Sequence, residues 1–68
     1  MTILLNGDPR VLPEPMTVLA LLEHLEIDPR IVAVEHNRVV VKRDRYAETL
    51  VADGAEVEIV AFVGGGSG

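Results

Sequence analysis

The sequence predicts an α+β fold in which a small mixed sheet of four to five strands packs on one main helix. Short β-branched and aliphatic runs separated by turn signals predict the strands, and only one segment has the apolar spacing of a helix. A single amphipathic helix covers one face of such a sheet, which gives two layers. The chain has 68 residues and no cysteine, so we expect one domain that packing stabilises without disulfides.

The first two extended segments form a predicted hairpin. Residues 2–5 are β-branched or aliphatic, and an Asn-Gly pair follows at 6–7. This pair is a strong hairpin signal because a type I′ turn needs a positive φ at both central residues. We expect the Asp-Pro pair at 8–9 to extend the turn and residues 10–12 to form the returning strand.

One helix follows the hairpin. Thr17 is a good N-cap because its hydroxyl accepts a backbone N–H. The apolar residues after it have the i, i+3, i+4, i+7 spacing of an amphipathic helix. They are Val18, Leu21, Leu22 and Leu25. The Asp-Pro pair at 28–29 predicts the end of a helix of about ten residues, because the residue before a proline disfavours helical geometry.

Turn signals separate the extended segments after the helix. The predicted strands are residues 31–35, 38–41, 48–51 and 56–63, with a His-Asn turn at 36–37, one helical turn at 42–46 and an Asp-Gly turn at 53–54. The first hairpin and the last strand are the most apolar segments, so we expect both in the middle of the sheet. This order of elements predicts the β-grasp arrangement.

The last strand has two different faces. Val57, Ile59 and Ala61 alternate with Val60 and Phe62. If the first set faces the helix, the second set faces outward, and Leu4 shares that outer face. An exposed apolar patch on a small domain indicates a partner surface, so we predict a partner-binding patch of these three outward residues. The alternative is that a loop covers them.

The C-terminal segment is Gly64, Gly65, Gly66, Ser67 and Gly68. Glycine loses the most entropy on ordering and has no side chain to pack, so we expect a flexible tail at 64–68 beyond a β-grasp domain at 1–63. Without Cβ atoms, such a tail passes through a narrow channel and delivers its carboxylate into another protein's active site. The alternative is a disordered end or a cloning linker.

Composition excludes several classes of function. The net charge is −5 and tryptophan is absent, so we expect no nucleic-acid partner and no membrane partner. The two histidines, His24 and His36, belong to no convergent ligand set, so we expect no metal site. The N-terminal segment lacks a basic region before its short apolar run, so we expect no signal peptide and a cytoplasmic location.

Several motifs together resemble those of one family. They are LLNG at 4–7, TV…LL at 17–22, VAVEHN at 32–37, DGAEVEIV at 53–60 and FVGGG at 62–66. In this order they are similar to the ThiS family, the sulfur carriers of thiamin thiazole synthesis, and the resemblance covers residues 1–66. It implies a ubiquitin-like β-grasp fold.

The resemblance also implies a defined chemistry. An E1-like, ThiF-like adenylyltransferase uses ATP to adenylate the terminal glycine carboxylate. Sulfur from a cysteine desulfurase then converts it to a thiocarboxylate, and a ThiG-like thiazole synthase takes up that sulfur. The chain is then a co-substrate without a bound cofactor, not an enzyme, and we expect a monomer when it is free. Because the chain has no cysteine, its C-terminus is the place that remains for covalent sulfur.

One departure from the family concerns the terminus. Members of the family usually end in Gly-Gly, whereas Ser67 and Gly68 follow Gly66 here. A protease trims them, or Gly68 is activated directly, or the two residues come from cloning. By alignment to the FVGGG run we favour Gly66 as the carrier terminus, with Gly64 and Gly65 as its lead-in.

Two other functions fit the same residues. The small subunit of molybdopterin synthase, MoaD, shares the fold, the tail and the adenylation but donates sulfur to a pterin precursor. A non-covalent β-grasp binding module needs no tail at all. The chain length and the VAVEHN and DGAEVEIV runs favour the thiamin carrier over the molybdopterin-synthase subunit.

Overall fold

The computed structural model describes residues 1–62. In this range the chain forms a five-stranded sheet, a two-stranded ribbon and one α-helix. The elements are β1 (Thr2–Leu5), β2 (Asp8–Val11), β3 (Met16–Thr17), α1 (Val18–His24), β4 (Val32–His36), β5 (Val39–Val41), β6 (Leu50–Val51) and β7 (Glu56–Ala61). The predicted α+β class is confirmed. The boundary predicted between residues 1–63 and 64–68 lies outside the described residues and stays a prediction.

The five-stranded sheet has the order β2-β1-β7-β4-β5. The last strand, β7, is central as predicted, parallel to β1 and antiparallel to β4. The expectation that the whole first hairpin lies in the middle is wrong, because β2 is an edge strand. Pro9 explains this position, since proline has no N–H to donate and is tolerated where a strand has one neighbour.

The hairpin between β1 and β2 is tighter than predicted. Asn6 and Gly7 have φ angles of 51° and 85°, and Leu5 pairs directly with Asp8. A two-residue type I′ turn therefore closes the hairpin alone. The prediction that residues 8–9 extend the turn is wrong, because both already pair with β1.

Helix α1 begins where predicted and ends earlier. The Thr17 hydroxyl accepts the Ala20 N–H at 3.1 Å, which confirms the N-cap. At the other end Glu26 has a φ of 61°, and the Ile27 N–H donates to the Leu22 carbonyl at 2.8 Å. This is the Schellman pattern, which stops the helix at His24. The predicted stop at 28–29 is wrong: that pair instead begins the 3₁₀ turn Pro29–Ile31.

The second hairpin lies one residue later than predicted. His36 pairs with Val39, so the turn residues are Asn37 and Arg38, with φ angles of 51° and 70°. Ile31, predicted as the first strand residue, belongs to the 3₁₀ turn. The predicted helical turn at 42–46 is confirmed as the 3₁₀ turn Arg43–Arg45.

The core lies between α1 and the inner face of the sheet, and its buried residues are all apolar in the described range except for the Tyr46 hydroxyl. They are Ile3, Leu12, Val18, Leu21, Leu22, Val32, Val34, Tyr46, Val51, Ala55 and Val57. The Tyr46 hydroxyl donates to the Val32 carbonyl at 3.4 Å. The ribbon of β3 and β6, whose first strand the sequence does not predict, carries Val51 into this core.

The Thr17 cap should contribute measurably to the free energy of unfolding. Thr17→Ala removes the acceptor of the Ala20 N–H and should lower the free energy of unfolding by about 1 kcal/mol. Thr17→Ser keeps the hydroxyl and should stay near the wild type. Urea denaturation followed by circular dichroism compares the two, and equal losses in both variants would contradict a capping role.

Candidate functional site

The outer face of the sheet is the face opposite α1, and it carries the predicted patch residues. Val57 is buried, whereas Val60 and Phe62 are 62% and 60% exposed. The alternation predicted for β7 is therefore confirmed, and no loop of the described residues covers this pair. Phe62 follows β7 directly, and its N–H donates to the Ile31 carbonyl at 2.7 Å. The apolar pair thus lies at the C-terminal end of β7.

Leu4 shares the outer face but not the immediate neighbourhood of this pair. It is 38% exposed and pairs with Glu56. Val60 lies four residues beyond Glu56 along β7, which corresponds to about 13 Å. The structure therefore brings Val60 and Phe62 together and places Leu4 at the opposite end of β7. Their part in binding a partner stays a prediction.

Acidic side chains lie between these two apolar ends. Glu35 pairs directly with Glu58 across β4 and β7, and Val40 pairs with Glu35 on the far side. Within residues 1–62 the ion pair of this face joins Arg38 to Glu56 at 3.3 Å, and neither member of the facing carboxylate pair has a cationic partner. Like charges directly opposite each other destabilise a sheet.

A shallow depression of about 480 Å³ lies over this acidic region. Leu4, Glu35, Arg38, Glu56 and Glu58 line it. Sequence reasoning did not single out the facing carboxylates, because only the register between two strands that are distant in sequence reveals that they are opposite each other. The outer face therefore combines exposed apolar ends with a negative centre, a combination suited to a protein surface that carries basic groups.

A second cleft lies on the inner face of the sheet, at the C-terminal end of β7. Helix α1 stops at His24 and leaves a cleft of about 500 Å³ whose lining includes Ile31, Ile59 and Ala61. Asp28 also lines it, and hydrogen bonds from Arg30 lower the pKa of that carboxyl to about 2. The end of β7 is therefore apolar and accessible on both faces, with a charged carboxylate nearby.

The predicted carrier terminus is not part of the described structure. Gly64, Gly65, Gly66 and the alternative Gly68 all lie outside the described residues, so their assignment stays a prediction. In residues 1–62 no group of three or more histidines or carboxylates is arranged to hold a metal ion. No helix in that range is long and apolar enough to cross a bilayer.

Known sequences resemble this chain over nearly its whole length. The sequence model of the ThiS family matches residues 3–66. The chain is 38% identical over 63 residues to the sulfur carrier protein ThiS of Bacillus subtilis, with 91% of this chain and 96% of that protein aligned. It is also 49% identical over 67 residues to a thiazole synthase of Paramagnetospirillum magneticum. That alignment covers 98% of this chain and spans 21% of the synthase.

A solved structure has the same fold. The crystal structure of the thiamine biosynthesis protein ThiS from Geobacter metallireducens superposes with a TM-score of 0.86 at 36% sequence identity. The superposition covers 97% of this chain and all of that one. The predicted β-grasp arrangement is therefore confirmed.

The facing carboxylates predict an unusual response to mutation. Glu58→Gln removes the like-charge contact with Glu35 and should raise the free energy of unfolding by about 0.3 kcal/mol at low ionic strength. The gain should shrink in high salt because the repulsion is screened. Urea titrations at two salt concentrations measure it.

Glu56→Gln is the matched control. It removes a carboxylate from the same strand and face, but one that is paired with Arg38, so it should give no such gain. A loss of stability in Glu58→Gln, or an equal gain in both variants, would contradict repulsion at the centre of the sheet.

Proposed function

The chain belongs to the ThiS family, and on that premise we propose that it is the sulfur carrier of thiamin thiazole synthesis. The observation that carries the proposal is the extent of the family match, which runs from residue 3 to residue 66. It therefore includes the folded body and Gly64, Gly65 and Gly66, and it stops before Ser67. This limit supports Gly66 as the carrier terminus, with Gly68 as the alternative if no trimming occurs.

The chemistry takes place at the carboxylate of that glycine. A carboxylate is a poor electrophile, so an E1-like adenylyltransferase first joins its oxygen to the α-phosphorus of ATP, and pyrophosphate leaves. Sulfur at the oxidation level of sulfide then displaces AMP from the acyl carbon, which leaves a thiocarboxylate. A cysteine desulfurase takes this sulfur from cysteine as an enzyme-bound persulfide, and a thiol reductant supplies the two electrons that bring it to the sulfide level. The chain has no cysteine and acts as a co-substrate, with all catalytic groups in its partners.

The outer face of the sheet is the surface that we propose for the activating enzyme. Val60 and Phe62 are exposed four and two residues before Gly64, so an enzyme that binds them receives the tail next to its binding site. The carboxylates of Glu35 and Glu58, which have no cationic partner within residues 1–62, favour a basic surface on that enzyme. The residues that bind the enzyme and the tail that the enzyme modifies are then close together in the sequence.

Thiazole synthase is the proposed acceptor of the sulfur. A segment similar to this chain at 49% identity occurs within a longer protein named thiazole synthase, which supports a shared reaction. The same finding favours the thiamin pathway over the molybdopterin alternative. We place this sulfur transfer in the cytoplasm, where ATP and the desulfurase are available.

Intact-mass spectrometry tests the proposal directly. The chain is incubated with a ThiF-like enzyme, ATP, a cysteine desulfurase, cysteine and a thiol reductant, and the expected product has the mass change of an oxygen-to-sulfur exchange. A version that ends at Gly66 is run beside the full chain and identifies the working terminus. Omission of ATP should abolish the change. If neither version gains sulfur, the carrier function is wrong.

Phe62 should contribute more to docking than to folding. Its ring is 60% exposed, so Phe62→Ala should weaken binding to the activating enzyme by about tenfold and change the free energy of unfolding by less than about 0.5 kcal/mol. Titration calorimetry measures the affinity. Val11→Ala is the matched control, because Val11 is 77% exposed on the edge strand β2. Equal affinity of Phe62→Ala and the wild type would contradict the docking surface.

A further inference from the structure

Strand β1 ends beside the middle of β7. The parallel register runs from Leu4 opposite Glu56 to Leu5 opposite Val57. At Asn6 the chain turns away into the hairpin, with a φ of 51°. The part of β7 that leads toward the glycine segment therefore has no strand beside it on this side within the described residues.

The side chain of Asn6 takes the place of the missing strand. Its backbone N–H donates to the Val57 carbonyl at 2.9 Å. Its carboxamide then reaches Ile59: the Ile59 N–H donates to Oδ1 at 2.8 Å, and Nδ2 donates to the Ile59 carbonyl at 3.2 Å. One amide thus supplies both the acceptor and the donor that a further strand residue would supply.

Asn37 makes a similar but smaller contact at the other end of β7. Its N–H donates to the Glu56 carbonyl at 2.7 Å, and its Oδ1 accepts the Glu56 N–H at 2.9 Å. Both asparagines have a φ of 51° and lie in two-residue hairpin turns. They differ in place: Asn37 contacts the first residue of β7, whereas Asn6 contacts the half that leads to the tail.

Beyond Ile59 the strand is held from one side. Ala61 is paired with Val32 on β4, and the next residue, Phe62, donates its N–H to the Ile31 carbonyl. Antiparallel pairing alternates between bonded and non-bonded pairs, so the polar backbone groups of Ala61 point away from β4. Asn6 is accordingly the last group that the described residues place against β7 on the β1 side.

We propose that Asn6 is a positioning residue, whose carboxamide fixes the direction in which β7 leaves the sheet. Without it, the described residues anchor residues 59–62 only through β4 and the Ile31 carbonyl, and this segment pivots in the plane of the sheet. The consequence for the reaction rests on the proposed carrier function: the docked body would still bind its enzyme, but the carboxylate would reach the adenylation site less often. Asn6 therefore acts on turnover more than on affinity.

Glycine substitutions separate this role from the turn itself. Glycine adopts positive φ without strain, so Asn6→Gly keeps the type I′ turn and removes only the carboxamide. Asn37→Gly does the same at the other end of β7. Amide hydrogen exchange by NMR should show the Ile59 amide exchanging at least about tenfold faster in Asn6→Gly, with little change at Ile59 in Asn37→Gly. Unchanged protection of Ile59 would overturn the proposal.

Steady-state activation measures the consequence for the reaction. With a ThiF-like enzyme and ATP, Asn6→Gly should lower kcat for adenylation of the chain by about tenfold, with a KM for the chain close to that of the wild type. Asn37→Gly should leave both constants near the wild type. Equal kcat losses in the two variants, or a loss confined to KM, would overturn the positioning role. A wild-type chain that is not activated at all would instead contradict the carrier function, and the exchange at Ile59 still decides whether Asn6 holds the strand.

Discussion

The pairing of β7 with two neighbours is the constraint on which the other features of this molecule depend. Because β1 and β4 hold it from both sides, the last segment of the described chain is also the centre of the sheet. Its inner residue Val57 is buried against the helix layer, whereas its outer residue Val60 and the next residue after the strand, Phe62, remain exposed. A single strand therefore organises the core and carries the candidate binding surface.

The length of α1 divides β7 into one half that the helix covers and one half that it leaves uncovered. The Schellman ending at Glu26 limits the helix to seven residues, so it covers the beginning of the strand and leaves Ile59 and Ala61 beside an open cleft. The covered half is stabilised by apolar burial. In the other half Ile59 is only partly buried against the core, so this half depends more on backbone pairing with β4 and on the Asn6 carboxamide. Val60 remains available for contact with another protein.

Local signals predicted the parts of the fold that local chemistry determines. The Thr17 cap, the Asn-Gly turn at 6–7 and the alternation of β7 all follow from spacing within a few residues. The end of α1 was missed because a positive φ at a glutamate has no composition signal. The separation of Leu4 from Val60 was missed because register between distant strands is set by tertiary pairing. The glycine segment, predicted from composition and resemblance, lies outside the described residues.

The placement of charge on the outer face follows a different logic from that of the core. A sheet selected for stability alone would not keep Glu35 opposite Glu58, since a neutral or cationic neighbour removes the repulsion. Proteins depart from local optima mainly at functional sites. The facing carboxylates lie between Leu4 and Val60, two exposed apolar residues of the same face. A basic group of a docked partner would relieve the repulsion, so that binding offsets a cost that the free chain bears.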